Sequence, residues 1–113
     1  MLRPFELVEP ASVAEASEVL ARHGETARLY AGGTELILAM KEGLIHYDYL
    51  VNVKTIPGLA GVRLDGGTLR IGAATPHRVL ERDPTVREHF PVIARTEADV
   101  ANVRVREVGT LGG

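Results

Sequence analysis

The sequence predicts an α+β chain of two lobes: a βαβ lobe over residues 1–57, then the start of a second, incomplete α+β lobe over residues 58–113. Three observations carry this. A capped amphipathic stretch and two apolar runs divided by a glycine pair fill the first half. At Ile56-Pro57-Gly58 the apolar period changes from helical to alternating, which marks a sub-domain boundary. Beyond it come a hairpin signal and short stretches that each open on proline.

The elements follow in order. Phe5, Leu7 and Val8 form a short apolar stretch closed by Pro10, an edge strand or extended arm. Ser12 with Glu15 three residues on makes a capping box, and Val13, Ala16, Val19 and Leu20 share one helical face. His23 suits the negative end of that helix and Gly24 its C′ position, so residues 12–23 are predicted helical. Residues 27–31 read as a strand running into Gly32-Gly33-Thr34. Leu36 to Met40 read as a helix capped by Thr34, and residues 49–53 as the next strand. Strand, helix and strand at this spacing imply parallel pairing.

In the second half Val62 and Leu64 alternate with Arg63 and Asp65, and Leu69 and Ile71 with Thr68 and Arg70. Gly66-Gly67 joins the two runs as a hairpin turn. Thr75-Pro76 predicts an N-cap with proline at N1 and a helix to about Arg82, and Asp83-Pro84 repeats the signal. Pro91 opens a third helix, with Ile93, Ala94, Ala98 and Ala101 on one face. From Val103 to Gly113 an alternating pattern competes with loop signals. The chain closes on Gly112-Gly113, a turn signal with nothing after it to order it, and the expectation is a fragment of a longer protein.

Composition narrows the function. At 113 residues, 45% hydrophobic and 25% charged, the chain can bury a core and does not read as disordered. A net charge of −2, two Phe, three Tyr and no Trp give no basis for nucleic acid or an anionic membrane as partner. No cysteine is present, so no disulfide, thiolate zinc site or iron–sulfur cluster belongs to these residues, which fits a cytoplasmic protein. The opening residues carry no signal-peptide pattern, and no apolar run is long enough to span a bilayer. His23, His46, His77 and His89 lack ligand spacing, so no metal site is expected and the histidines read as surface or capping groups. No catalytic triad or carboxylate pair is recognisable.

Two loops could carry chemistry. In Ala31-Gly32-Gly33-Thr34 paired glycines allow close backbone approach to an oxyanion, helix-start N–H groups can donate to it, and Thr34 adds a hydroxyl. The pattern is neither a Walker loop nor GxGxxG, and it equally suits a tight strand-to-helix turn. Gly109-Thr110-Leu111-Gly112-Gly113 has the same composition and equally suits a flexible tail. Taken together, the two suggest two cradles for a diphosphate. Arg104 and Arg106 could approach a cofactor phosphate, although alternating arginines are more often solvated.

An ordered set of short motifs spans nearly the whole chain. It comprises Pro4-Phe5-Glu6-Leu7, Pro10 with Ser12-Val13 and Glu15-Ala16, Ala31-Gly32-Gly33-Thr34-Glu35-Leu36 and Leu50-Val51-Asn52-Val53. Ile56-Pro57-Gly58-Leu59, Ile71-Gly72-Ala73-Ala74-Thr75 and Val105-Arg106 with Val108-Gly109-Thr110-Leu111-Gly112-Gly113 complete it. The set resembles the FAD-binding medium subunit of molybdenum hydroxylases, the family of carbon monoxide and xanthine dehydrogenases. The resemblance implies a vanillyl-alcohol-oxidase-type FAD-binding fold, with residues 1–57 as its first lobe and residues 58–113 as the start of its second. It implies FAD contacts from Leu29, Tyr30, Ala31, Gly32, Gly33, Thr34, Glu35 and Leu36, from Thr110, Gly112 and Gly113, and from Val100 and Ala101 beside the adenosine. It also implies electron transfer from a molybdenum-cofactor large subunit, through a 2Fe-2S small subunit, to FAD and an acceptor. Relatives continue past the second glycine pair, so FAD binding by these residues alone is expected to be weak or absent. Glu107 stands where many relatives carry asparagine. A different phosphate- or nucleotide-binding module and a non-catalytic remnant are the competing readings.

Overall fold

A computed structural model describes residues 1–113, which divide into two compact units, Met1–Pro57 and Gly58–Gly113. The first unit holds strands β1 (Glu6–Val8), β2 (Ala27–Tyr30) and β3 (Tyr49–Asn52) and helices α1 (Val13–His23) and α2 (Leu36–Lys41). The strands form one sheet in the order β1-β3-β2, parallel throughout, with Leu29 in register with Val51 and Leu7 with Leu50. Leu50 and Val51 are neighbours on β3 and so face opposite sides of the sheet, and both are fully buried. The central strand is therefore covered on both faces, as parallel sheets require.

Helix α1 begins as predicted. Ser12 Oγ accepts from the Glu15 N–H at 3.1 Å, and the Glu15 carboxylate in turn accepts from the Ala11 N–H at 3.0 Å. Gly24 ends it with φ +56°. Ala16 and Val19 bury the predicted face, whereas Val13, in the first turn, stays 57% exposed. The His23 imidazole stacks on the Tyr49 ring with centroids 3.8 Å apart, tying the helix end to β3. The proposed Thr34 cap is not made. The residue preceding α2 is Glu35, in helical conformation, with no side-chain capping bond, and Gly33 O accepts from the Ile37 N–H at 3.0 Å instead.

The second unit holds the hairpin β4 (Val62–Asp65) and β5 (Thr68–Ile71) and the short helices α3 (His77–Arg82), α4 (Pro84–His89), α5 (Pro91–Ala98) and α6 (Val103–Val108). Gly66 and Gly67, at φ +55° and +86°, supply the positive φ pair that a two-residue antiparallel turn needs. Leu80, Val86 and Ala94 form the core, with Val62, Leu69, Ile71 and Ile93 packed on it. Asp83 caps α4 through the Val86 N–H at 3.0 Å. Thr75 does not cap α3, because Pro76 is itself the cap residue. The buried Thr75 hydroxyl instead accepts from the Gly61 N–H at 2.8 Å and donates to Gly61 O at 3.2 Å, closing the start of the hairpin. The ambiguous stretch after Ala101 resolves as helix because Asn102 Oδ1 caps the N–H groups of Arg104 and Val105. Ala98 and Ala101 lie outside the buried face of α5, which contains Glu97 instead.

Candidate functional site

In the first unit, β2 delivers Leu29 and Tyr30 to the loop 31–35, and α2 starts at Leu36. Leu29 is half exposed, Gly32 is buried, and Ala31, Gly33, Thr34 and Leu36 are partly buried, while Glu35 is exposed. Gly33 takes φ +73°, a conformation costly for any residue with a β-carbon. A β-carbon there would also lie 2.3 Å from Tyr30 Cε2 and 3.2 Å from Ile37 Cγ1. The glycine is thus required first by its own loop, because the Tyr30 ring packs directly against it. The N–H groups of Gly33, Thr34 and Glu35 donate to no protein acceptor, and the Thr34 hydroxyl is likewise unpartnered. Helix-start amides have no intrahelical partner. This donor set fits a phosphate oxyanion.

Lys54 was not among the residues singled out from the sequence. Its Nζ donates to the Ala31 carbonyl and lies 3.9 Å from the Tyr30 ring centroid. No sequence pattern marks it: Lys54 follows β3 in the chain and reaches the loop only because β2 and β3 pair.

In the second unit, Val100–Ala101 and Thr110–Gly113 lie beyond the two ends of α6. Ala101 is the one non-glycine residue with positive φ, at +44°. Arg106 Nη1 donates to Val100 O at 2.8 Å and so braces that corner. Arg106 is not a solvated arginine: its side chain is 13% exposed and its Nε lies 3.4 Å from Glu81 Oε2. Arg78 Nη1 meets the same carboxylate oxygen at 2.7 Å. The Arg78 hydrogen bond is the largest influence on Glu81, and with the Arg106 charge it holds the carboxyl below its ordinary 4.5 against the opposing effect of burial. Arg104 remains exposed.

The second glycine loop differs from the first. The Leu111 N–H donates to Thr75 O at 3.0 Å, Gly112 to Ala73 O at 2.8 Å and Gly113 to Thr110 O at 3.1 Å. The buried Thr110 hydroxyl donates to Gly113 O at 2.8 Å, so the hydroxyl expected to serve a ligand closes the turn. A β-carbon on Gly112 would lie 2.8 Å from Ala73 Cβ and 3.0 Å from Ala73 O. Here the glycine allows two backbone segments to approach. Only the Thr110 N–H, among the amides of 109–113, is without an acceptor. His77, expected to be a surface or capping group, is joined to the buried Glu97 by a 2.6 Å hydrogen bond between Nδ1 and Oε2. A carboxylate at the spacing of Ile93 and Ala94 was the available signal for this pair. No group of three or more His, Cys, Asp or Glu residues is placed to hold a metal, and no helix is long and apolar enough to cross a membrane.

Residues 3–113 match the family described as the FAD-binding domain in molybdopterin dehydrogenase, and the chain belongs to that family. It is similar to the carbon monoxide dehydrogenase medium chain of Hydrogenophaga pseudoflava, 38% identical over 109 residues that cover 96% of this chain and 38% of the relative. It is 33% identical over 104 residues to a putative xanthine dehydrogenase FAD-binding subunit of Escherichia coli K12, covering 91% of this chain and 35% of that subunit. Among solved structures, carbon monoxide dehydrogenase of Hydrogenophaga pseudoflava lacking the Mo-pyranopterin moiety superimposes on the whole chain. The TM-score is 0.97 and the identity 36%, over 39% of that chain. Quinoline 2-oxidoreductase of Pseudomonas putida 86 gives a TM-score of 0.94 at 34% identity, over 100% of this chain and 39% of that one. The chain thus spans little more than a third of the proteins it matches.

Proposed function

We propose that these residues form the diphosphate- and adenosine-binding part of the FAD site in a cytoplasmic molybdenum hydroxylase. Met1–Pro57 would serve as the first flavin-binding lobe and Gly58–Gly113 as the start of the second, in a vanillyl-alcohol-oxidase-type fold. Electrons would arrive from a molybdenum-cofactor large subunit through a 2Fe-2S small subunit. FAD, when bound, supplies the redox chemistry by passing those electrons to an acceptor, while the protein positions it.

The observation that supports this best is the loop 31–35, where three adjacent amides and the Thr34 hydroxyl lack acceptors beside an ammonium group. These residues would hold phosphate oxygens by charge-assisted hydrogen bonds. Gly112 and Gly113 would contribute by close approach rather than as donors, with the Thr110 N–H available. Val100 and Ala101 would lie against the adenosine.

By themselves the 113 residues are expected to bind FAD weakly or not at all. The second loop offers a single free amide, and ordering a loop costs roughly 1–2 kcal/mol per residue. A flavin fluorescence titration followed by gel filtration tests this, with ADP as competitor. The expected result is weak or undetectable binding of FAD, any bound FAD being displaced by ADP, and no flavin in the eluted protein. Stoichiometric co-elution of FAD would overturn the weak-binding expectation. FAD that binds but is not displaced by ADP would overturn the diphosphate reading for these residues.

A further inference from the structure

Lys54 is placed with more care than a surface lysine needs. Its own N–H donates to Asn52 Oδ1 at 3.0 Å, and Asn52, 7% exposed, donates in turn to Glu9 Oε2 at 3.1 Å. The next residue, Thr55, donates its hydroxyl to Pro10 O at 2.9 Å. The backbone at Lys54 is thereby fixed to the segment between β1 and α1. From that base the side chain crosses the end of β2, bonds to the Ala31 carbonyl and sits over the Tyr30 face. Tyr30 is the same ring that fills the space a Gly33 side chain would need. Lysine, aromatic ring and glycine meet at the loop's base.

The charge is also uncompensated. Lys54 makes no ion pair with any carboxylate. An ammonium has three N–H donors; the Ala31 carbonyl takes one and the ring face attracts another, leaving one for a ligand oxygen. The opposing charge within the loop is Glu35, whose side chain is exposed.

We propose that Lys54 is the positioning and charge-supplying residue of the first glycine loop. Clamped between the Tyr30 ring and the Ala31 carbonyl, it sets the shape of residues 31–35 and presents an unpaired positive charge to a nucleotide diphosphate. The ligand class rests on the flavin reading above, while the clamp does not. Two measurements on the intact chain separate them.

The first needs no ligand. In Lys54→Met, hydrogen exchange at the Ile37 amide, which is bonded to Gly33 O, should accelerate while Leu50 and Val51 keep their protection, and Lys54→Arg, which can still stack and bond, should restore slow exchange. Unchanged exchange in Lys54→Met overturns the clamp whatever the flavin does. The second is titration with FAD and with ADP at two salt concentrations. Lys54→Met should weaken both by about tenfold, the loss of one charge-assisted contact, and flatten the salt dependence. Lys54→Arg should stay within about twofold of the natural protein. Binding by Lys54→Met equal to that of the natural chain, or an equal loss in Lys54→Arg, overturns the charge-supplying role.

Discussion

At Gly33 two independent penalties await any side chain: a left-handed backbone at φ +73° and overlap with the Tyr30 ring at 2.3 Å. The first costs roughly 1–2 kcal/mol and the second forces the ring to move. Gly33→Ala is therefore expected to destabilise the chain by about 2 kcal/mol in chemical denaturation. The cost should shrink in a Tyr30→Ala background, which removes the overlap and leaves only the backbone term. An identical cost in both backgrounds would show that the ring contact contributes nothing. Ala101 presents the reverse case, a β-carbon already held at φ +44°. Ala101→Gly removes roughly 1–2 kcal/mol of strain and adds about 0.4–1 kcal/mol of unfolded-state entropy. A net gain of about 0.5 kcal/mol is expected in the denaturation midpoint, and a loss would show that the corner is unstrained. Strained corners of this kind occur often at ligand-binding positions, which agrees with the proposed adenosine contact.

At the scale of elements, α1 depends on its cap. Ser12→Ala removes the acceptor for the Glu15 N–H and should cost roughly 1 kcal/mol, while Ser12→Asp should restore it; unchanged stability in Ser12→Ala would show that the bond to Glu15 is dispensable. Helices α3 and α6 are joined by the Arg78–Glu81–Arg106 cluster. The Glu81 carboxyl titrates below its ordinary 4.5 in the folded protein, so its contribution is fully present above that pH and is lost as pH falls through the lower, folded value. Thermal melts between pH 7 and pH 3 should show this directly. Glu81→Gln should melt lower than the natural chain at pH 7, and the gap should narrow once the pH drops below 4.5. A gap that is constant with pH would mean that the carboxylate charge is not what the arginines use.

Across the whole molecule, the chain has no cysteine and gathers no set of metal ligands. Metal analysis of the purified chain is expected to find no stoichiometric iron, molybdenum or zinc, and stoichiometric iron that survives chelation would overturn this. These residues would then take no part in ligating iron, molybdenum or zinc.

Local rules account for much of the fold. The Ser12–Glu15 box, Gly24, the Gly66-Gly67 turn and Asp83-Pro84 each act within four residues, so chain order alone fixes them. The parallel sheet followed from spacing, and the family from an ordered set of motifs, in agreement with the family match over residues 3–113. The misreadings lie where a local preference lost to a distant partner. Thr75 gives up its capping position to hold Gly61, and the Thr110 hydroxyl and three nearby amides are drawn into the turn. Glu97 could turn inward because His77 waits twenty residues away in the chain, and Lys54 reaches Ala31 across twenty-three. The sequence by itself determined the elements, the two glycine loops and the family. Only the tertiary structure decided which donors in those loops remain free and which cation stands beside them, because a hydrogen bond between residues remote in sequence leaves no periodic trace in it.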